Sequence, residues 1–181
     1  MTPKNPWKTL SSRPIYENPW LRLREDQVIR PDGKEGIYGV VDTRLAVGVV
    51  ALTPEREIFI VGQWRYPLNR YSWEIIEGGG DVNEDGLVTA KRELKEEAGL
   101  VAERWRPLGS EVHLSNCFSS ERAVFFVAEN LKQVEAEPEG TEELEIRKIK
   151  FSDALAMVDA GEITDAMTII ALNRLRRELG S

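Results

Sequence analysis

Residues 78–100, GGGDVNEDGLVTAKRELKEEAGL, join three consecutive glycines to a short acidic helical pattern, and no other segment restricts the chain so closely. Glycine has no Cβ, so this backbone can turn sharply and approach other groups closely. The run YSWEII at 71–76 leads into the glycines as a strand. From Asp85 to Ala98 the apolar residues Leu87, Ala90, Leu94 and Ala98 fall on one face of a helix, and Gly99 stops it. The order is therefore strand, glycine turn, helix.

Six carboxylates lie in these 23 positions. Glu93 and Glu97 are four residues apart, one above the other on the same helix face. With Leu94 at the centre of the buried stripe and about 100° per residue, they sit on its shoulder, while Glu96 turns towards solvent. Arg92 precedes Glu96 by four residues and can pair with it. A like-charge pair at this spacing costs a few tenths of a kcal/mol when exposed, and more when buried. A hard divalent cation reverses that sign, because it favours clustered carboxylate oxygens. Charge pattern alone also admits a solvated face, with Lys91 and Lys95 nearby, and a triple glycine by itself is a weak signal.

The rest of the chain narrows the chemistry. Its 181 residues suffice for one domain with a sizeable core and a short extension. A net charge of -7 argues against a nucleic-acid surface, which needs clustered Lys and Arg. The single cysteine, Cys117, excludes an intramolecular disulfide and a Cys-rich zinc site, and the single histidine, His113, excludes paired imidazoles. Both are read as structural or peripheral, so any catalysis rests largely on carboxylates. The N-terminus carries prolines and charges where a signal peptide needs an apolar run, and no stretch approaches a membrane span. A cytoplasmic chain without membrane partners is expected.

Residues 1–18, with Pro3, Pro6 and Pro14, read as an extended arm. WLRLREDQVIR and IYGVVDT, on either side of an Asp32-Gly33 turn, read as a β-hairpin. Residues 1–43 are thus expected to form an arm and hairpin, serving interaction or dimerisation, and residues 44–181 the main domain. There, LAVGVVAL and EIFIVGQW are apolar through most of their length, the mark of strands buried on both faces. RWRPLGSEVHL, RAVFFVAENL and LEIRKIKF are further strands, and two helices close the chain, with Ser152 and either Thr164 or Asp165 as N-caps. Helices interleaved with a mixed sheet give a layered α/β architecture.

Gly78, five residues, Glu84, seven residues, Arg92-Glu93-Leu94, one residue, Glu96-Glu97, one residue, Gly99-Leu100: this spacing resembles the Nudix hydrolase signature. The resemblance implies a Nudix α/β/α sandwich with a mixed β-sheet, here with an N-terminal β-hairpin extension. It also implies that Glu93 and Glu97 ligate Mg²⁺, with Mn²⁺ as a substitute, and that Glu96 partners one or more ions. Arg92 would orient the carboxylates, and Glu84 would brace the loop or touch metal through water. The carbonyl before the first motif glycine, at Glu77, would be a further ligand. Relatives often have a small residue there, so the Glu77 side chain is a departure.

Outside the motif, QWRYP at 63–67, SWEIIEGG at 72–79 and FSSE at 118–121 are similar to parts of ADP-ribose and nucleoside diphosphate sugar pyrophosphatases. By that likeness Arg65 would hold a phosphate, against a plain salt bridge as the alternative. Glu74 and Glu121 would bind ribose or sugar hydroxyls or support the metal site, and Trp20, Tyr66 or Trp64 would stack on a base, against core packing. Glu142, with Glu143 as the neighbouring candidate, would be the general base for water or an extra ligand. The implied reaction is Mg²⁺-dependent cleavage of a nucleoside diphosphate sugar by a homodimer. Hydrolysis of a dinucleotide polyphosphate or an oxidised nucleotide is the alternative, and a non-catalytic nucleotide-binding regulator a more distant one. Two markers differ: Ser115 and Asn116 stand where ADP-ribose-type relatives often have a Ser-Pro-Gly-like turn, and Met167 where some sugar-nucleotide relatives have a lysine two residues after an aspartate.

Overall fold

The computed structural model describes residues 4–135 and 143–180. Backbone contacts divide the chain into two compact units, one running to Arg44 and including His113–Arg122, the other formed by Leu45–Val112 and the chain from Ala123 onward.

The first unit is an antiparallel sheet of β1 (Lys8–Glu17), β2 (Leu21–Ile29) and β3 (Glu35–Thr43), in that order. Asn18 makes the first turn, its Oδ1 accepting the N–H groups of Trp20 and Leu21 at 2.9 Å each. The second turn forms at Asp32-Gly33 as expected, with Gly33 at φ 81°, a left-handed conformation that suits glycine. The segment expected to be an extended arm is instead strand β1. Its prolines obscured this. Pro14 cannot donate to a ladder, but β1 is an edge strand whose register shifts on either side of Pro14, and edges and irregularities tolerate proline. The segment 113–122 joins this unit through Val41, whose N–H donates to the Phe118 carbonyl at 2.8 Å and whose carbonyl accepts from the Ser120 N–H at 2.9 Å.

The rest of the chain forms β4 (Leu45–Ala51), β5 (Glu57–Arg65), β6 (Arg70–Glu74), β7 (Ile76–Gly79), α1 (Gly86–Ala98), β8 (Leu100–Pro107), β9 (Val112–His113), β10 (Arg122–Gln133), β11 (Glu145–Lys150), α2 (Phe151–Asp159) and α3 (Ala166–Leu179), all in the second unit except His113 and Arg122. One sheet runs β7-β4-β10-β8 and another runs β11-β5-β6. The β4 and β5 runs are buried through most of their length, in keeping with their apolar sequences. Val47, Val49, Ala51, Val61, Ile76, Ala90, Leu94, Ala98, Leu100 and Ala128 form one buried cluster between α1 and the strands.

Local chemistry sets the helix ends. Asp85 caps α1 by accepting the Leu87 N–H at 2.9 Å, and Gly99, at φ 59°, closes it. Asp165 rather than Thr164 caps α3. The expected Ser152 cap of α2 is not used: α2 starts at Phe151, and Lys150 at the cap position makes no side-chain bond. Burial of Phe151, whose N–H donates to the Arg56 carbonyl at 2.9 Å, sets that start. Among the described residues no helix is long and apolar enough to cross a membrane.

Leu94 is fully buried in the α1 cluster. Leu94→Ala should lower unfolding stability by about 2–5 kcal/mol, read as a fall in the urea midpoint with unchanged slope.

Candidate functional site

Strand β7 lies against α1 so closely that any side chain at its third position would displace the Glu93 carboxylate. A Cβ on Gly78 would stand 2.1 Å from the Glu93 carboxyl carbon and Oε1, a distance at which something must shift. The β4–β7 register holds this contact in place, with Gly78 opposite Val47 and Glu77 opposite Gly48. One residue earlier, the Glu77 N–H donates to Glu97 Oε2 at 3.1 Å. Glu93 and Glu97 are 8% and 3% exposed, so the shoulder position read from the helix becomes burial once β7 is packed on α1.

Arg92 gathers the motif carboxylates. It pairs with Glu93 at 2.7 Å and Glu96 at 2.8 Å, lies 3.6 Å from Glu84, and donates to the Gly79 carbonyl at 3.0 Å. Burial works against its charge, but the Glu96 and Glu93 carboxylates prevail and raise its pKa. Glu84 accepts the Asp81 N–H at 3.1 Å and the Thr89 hydroxyl at 2.8 Å, tying the loop after the glycines to the helix. These bonds hold its carboxyl below the ordinary value, the Asp81 amide contributing most.

A second group lies on the other side of Glu77. Arg65, at the end of β5, donates from Nε to both oxygens of Glu74 at 3.0 Å and from Nη2 to Glu77 Oε1 at 3.0 Å. Glu74 is 2% exposed rather than solvent-facing, and Arg65 is engaged by carboxylates. Burial is the largest single effect and pushes the Glu74 carboxyl up, but the hydrogen bond and charge of Arg65, with a bond from Ser72, together outweigh it and hold the carboxyl below its ordinary value. Glu77 goes the other way, pushed well above 4.5 by burial and by the charges of Asp165 and Glu74. Its Oε2 is buried with no hydrogen-bond partner.

Asp165 is the residue that the sequence did not connect to this group. Its oxygens and those of Glu74 and Glu77 come within 4.8 Å of one another, whereas Glu93, Glu96 and Glu97 do not form such a triple among the described residues. As a helix cap, Asp165 carries no local sign of this neighbourhood. The approach is made by Thr168, whose hydroxyl accepts the buried Ile75 N–H at 2.9 Å.

Tyr66 opens a 3₁₀ turn after β5 and is 91% exposed, and neighbouring Trp64 is also exposed, so neither serves core packing. Trp20 and Glu121 belong to the first unit: Trp20 is exposed in the β1–β2 turn, and Glu121 accepts the Leu114 N–H through its carbonyl. Glu143 is exposed just before β11, and Glu142 lies outside the described residues. The donors in the second unit are carboxylate and carbonyl oxygens, and Glu77 Oε2 is a buried oxygen without a donor. Both observations fit a hard divalent cation such as Mg²⁺ or Mn²⁺.

Residues 42–168 match the model of the NUDIX domain, and residues 7–41 that of the nucleoside diphosphate sugar hydrolase N-terminal domain. The chain is 33% identical over 171 residues to an ADP-ribose pyrophosphatase of Bacillus subtilis (strain 168), covering 93% of this chain and 92% of the relative. It is 32% identical, with the same coverage, to a methanol dehydrogenase activator of Bacillus methanolicus. A crystal structure of an ADP compounds hydrolase superposes with a TM-score of 0.87 over 99% of this chain and 97% of that one, at 19% identity, a likeness of fold.

Two outcomes follow from this geometry. Gly78→Ala should displace the Glu93 carboxylate and weaken divalent-cation affinity roughly 10–100-fold, measured by calorimetric titration. Because the folded-state pKa of Glu77 lies above 4.5, its carboxyl favours the folded state below that value, and the benefit is lost as pH rises towards the folded-state pKa. In EDTA, Glu77→Gln should therefore be more stable than wild type near pH 8, with the gap closing or reversing near pH 4, read by urea denaturation.

Proposed function

The chain belongs to the Nudix hydrolase family, and on that premise we propose that it hydrolyses the diphosphate of ADP-ribose or a related nucleoside diphosphate sugar, releasing a nucleoside monophosphate and a sugar phosphate. The observation that carries this reading is the burial of both Glu93, pressed against Gly78, and Glu97, bonded by the Glu77 amide, a donor set of little use to a solvated helix. The match of residues 7–41 to the N-terminal domain of nucleoside diphosphate sugar hydrolases supports the sugar-nucleotide class.

Glu93, Glu97 and the Glu77 carbonyl would hold Mg²⁺, with Mn²⁺ as a substitute and Glu96 as an additional partner. When bound, such ions neutralise charge on the diphosphate and lower the pKa of water. Arg92 keeps the Glu93 and Glu96 carboxylates in place and ties them to the glycine turn, so that little reorganisation is needed when substrate arrives. Glu142, or Glu143 beside it, takes a proton from the attacking water. Tyr66 or Trp64 offers a face to the base, while the base and sugar roles of Trp20 and Glu121, in the first unit, rest on the family resemblance alone. Arg65 in this reading reaches a phosphate only by giving up part of its bonding to Glu74 and Glu77, so its first role is to hold those two residues.

A homodimer in the cytoplasm completes the proposal. Tyr16, Trp20 and Ile37 of the first unit are 57%, 73% and 66% exposed, large apolar side chains that a second copy would cover.

With Mg²⁺, a panel of ADP-ribose, GDP-mannose, UDP-glucose, NADH and diadenosine polyphosphates should show turnover highest on a sugar nucleotide, and Glu97→Gln should lower it at least roughly 100-fold, the upper end of losses for groups one step further from a metal. Near-normal turnover in the folded variant would end this assignment. Light scattering on the full chain should give twice the chain mass, and a monomer would remove the dimer from the reading.

A further inference from the structure

Glu74 ends β6, Glu77 lies in β7 and Asp165 caps α3, and each places a carboxylate oxygen within 4.8 Å of the other two. Two bonds independent of these carboxylates' mutual contacts impose the meeting. The Ile75 N–H donates to Thr168 Oγ1 at 2.9 Å, seating the first turn of α3 at the β6–β7 junction. The Thr168 N–H donates to Asp165 Oδ2 at 2.6 Å, fixing the cap side chain. Packing and capping thus bring Asp165 to Glu74 and Glu77, which Arg65 already bridges.

The described ion pairs offer this group one guanidinium, Arg65, which binds Glu74 and Glu77 Oε1. With all three carboxylates ionised, as a bound cation requires, one guanidinium leaves two negative charges, which burial makes unfavourable without a cation. Met167, buried two residues beyond Asp165, contributes no charge. Glu77 Oε2 is left buried and without a hydrogen-bond partner, in a side chain only 8% exposed. A buried carboxylate oxygen normally has a donor or a cation. Oxygens that share a hard cation at about 2.1–2.6 Å lie up to roughly 5 Å apart across it, which covers the spacing seen here.

We propose that the side chains of Glu74, Glu77 and Asp165 form a divalent-cation site of their own, additional to the ions held by Glu93 and Glu97. It takes a hard ion of the Mg²⁺ or Mn²⁺ class, whose two charges neutralise the group. The site uses the carboxylate of Glu77, not its carbonyl, and a residue of α3 that lies outside the glycine–helix motif. Because the Glu77 N–H donates to Glu97 Oε2, an ion on the Glu77 side chain also steadies the peptide that orients Glu97. Its role is positioning, and binding there does not depend on the substrate reading above.

The test is a Mn²⁺ titration followed by electron paramagnetic resonance on the full chain, with no substrate, for wild type, Glu77→Gln, Asp165→Asn and Glu97→Gln, with folding checked by circular dichroism. Asparagine can still cap the Thr168 N–H, and glutamine leaves the Glu77 carbonyl in place. Glu77→Gln and Asp165→Asn should each lose the same single Mn²⁺ per chain, or bind it at least tenfold more weakly, while keeping the Mn²⁺ that Glu97→Gln loses. Wild-type stoichiometry and affinity in both variants would overturn the site, as would a loss in Glu77→Gln that Asp165→Asn does not share. If Asp165→Asn fails to fold, wild type against Glu77→Gln decides alone. Normal turnover in Glu97→Gln would defeat the proposed hydrolysis without touching this result, so the two failures are distinct.

Discussion

The close approach of β7 to α1 at Gly78 is the contact on which the site depends. At Gly78 the space a Cβ needs is filled by the Glu93 carboxylate, so the missing side chain lets that carboxylate lie directly against the strand. That approach buries Glu93 and brings the Glu77 amide to Glu97. Burying two acids on one helix is unfavourable by itself, and the fold accepts it because the same helix also buries Leu94, Ala90 and Ala98. The apolar stripe secures the helix, and the acidic shoulder is carried into the interior with it.

Two arginines organise the charge that results. Arg92 binds the carboxylates of its own helix and the glycine turn, while Arg65 binds Glu74 and Glu77 across neighbouring strands. Glu77 stands between the two groups, its side chain held by Arg65 and its amide by Glu97. Each arginine satisfies several acids at once, a sign of carboxylates placed by packing and then compensated incompletely. The remaining negative charge makes the second unit suited to hard cations and, through them, to phosphate.

Much of the fold was legible. The runs around 45–65 read as buried strands because their apolar residues are continuous, and the α1 boundaries were visible in Asp85 and Gly99. The errors came where tertiary contacts override local preference. Prolines hid β1, because an edge strand can dispense with the N–H groups that proline lacks. Ser152 reads as the cap by residue type, but burial of Phe151 starts α2 two residues earlier than that cap implies. In the site, the contact of Arg92 with Glu96 follows from a spacing of four residues. The pairing of Arg65 with Glu74 and Glu77 involves different strands and has no such local sign.

The sequence by itself determined the local geometry of the motif: which carboxylates share a helix face, where the chain turns, and the family to which those spacings belong. Helical periodicity and glycine's missing Cβ act over a few residues, so they can be read directly. Only the tertiary structure decided that Glu74 is buried, that Arg65 is bound by carboxylates, and that Asp165 joins Glu77. Those outcomes depend on strand pairing and on one buried bond from Ile75 to Thr168, contacts between residues far apart in the chain that no local pattern encodes.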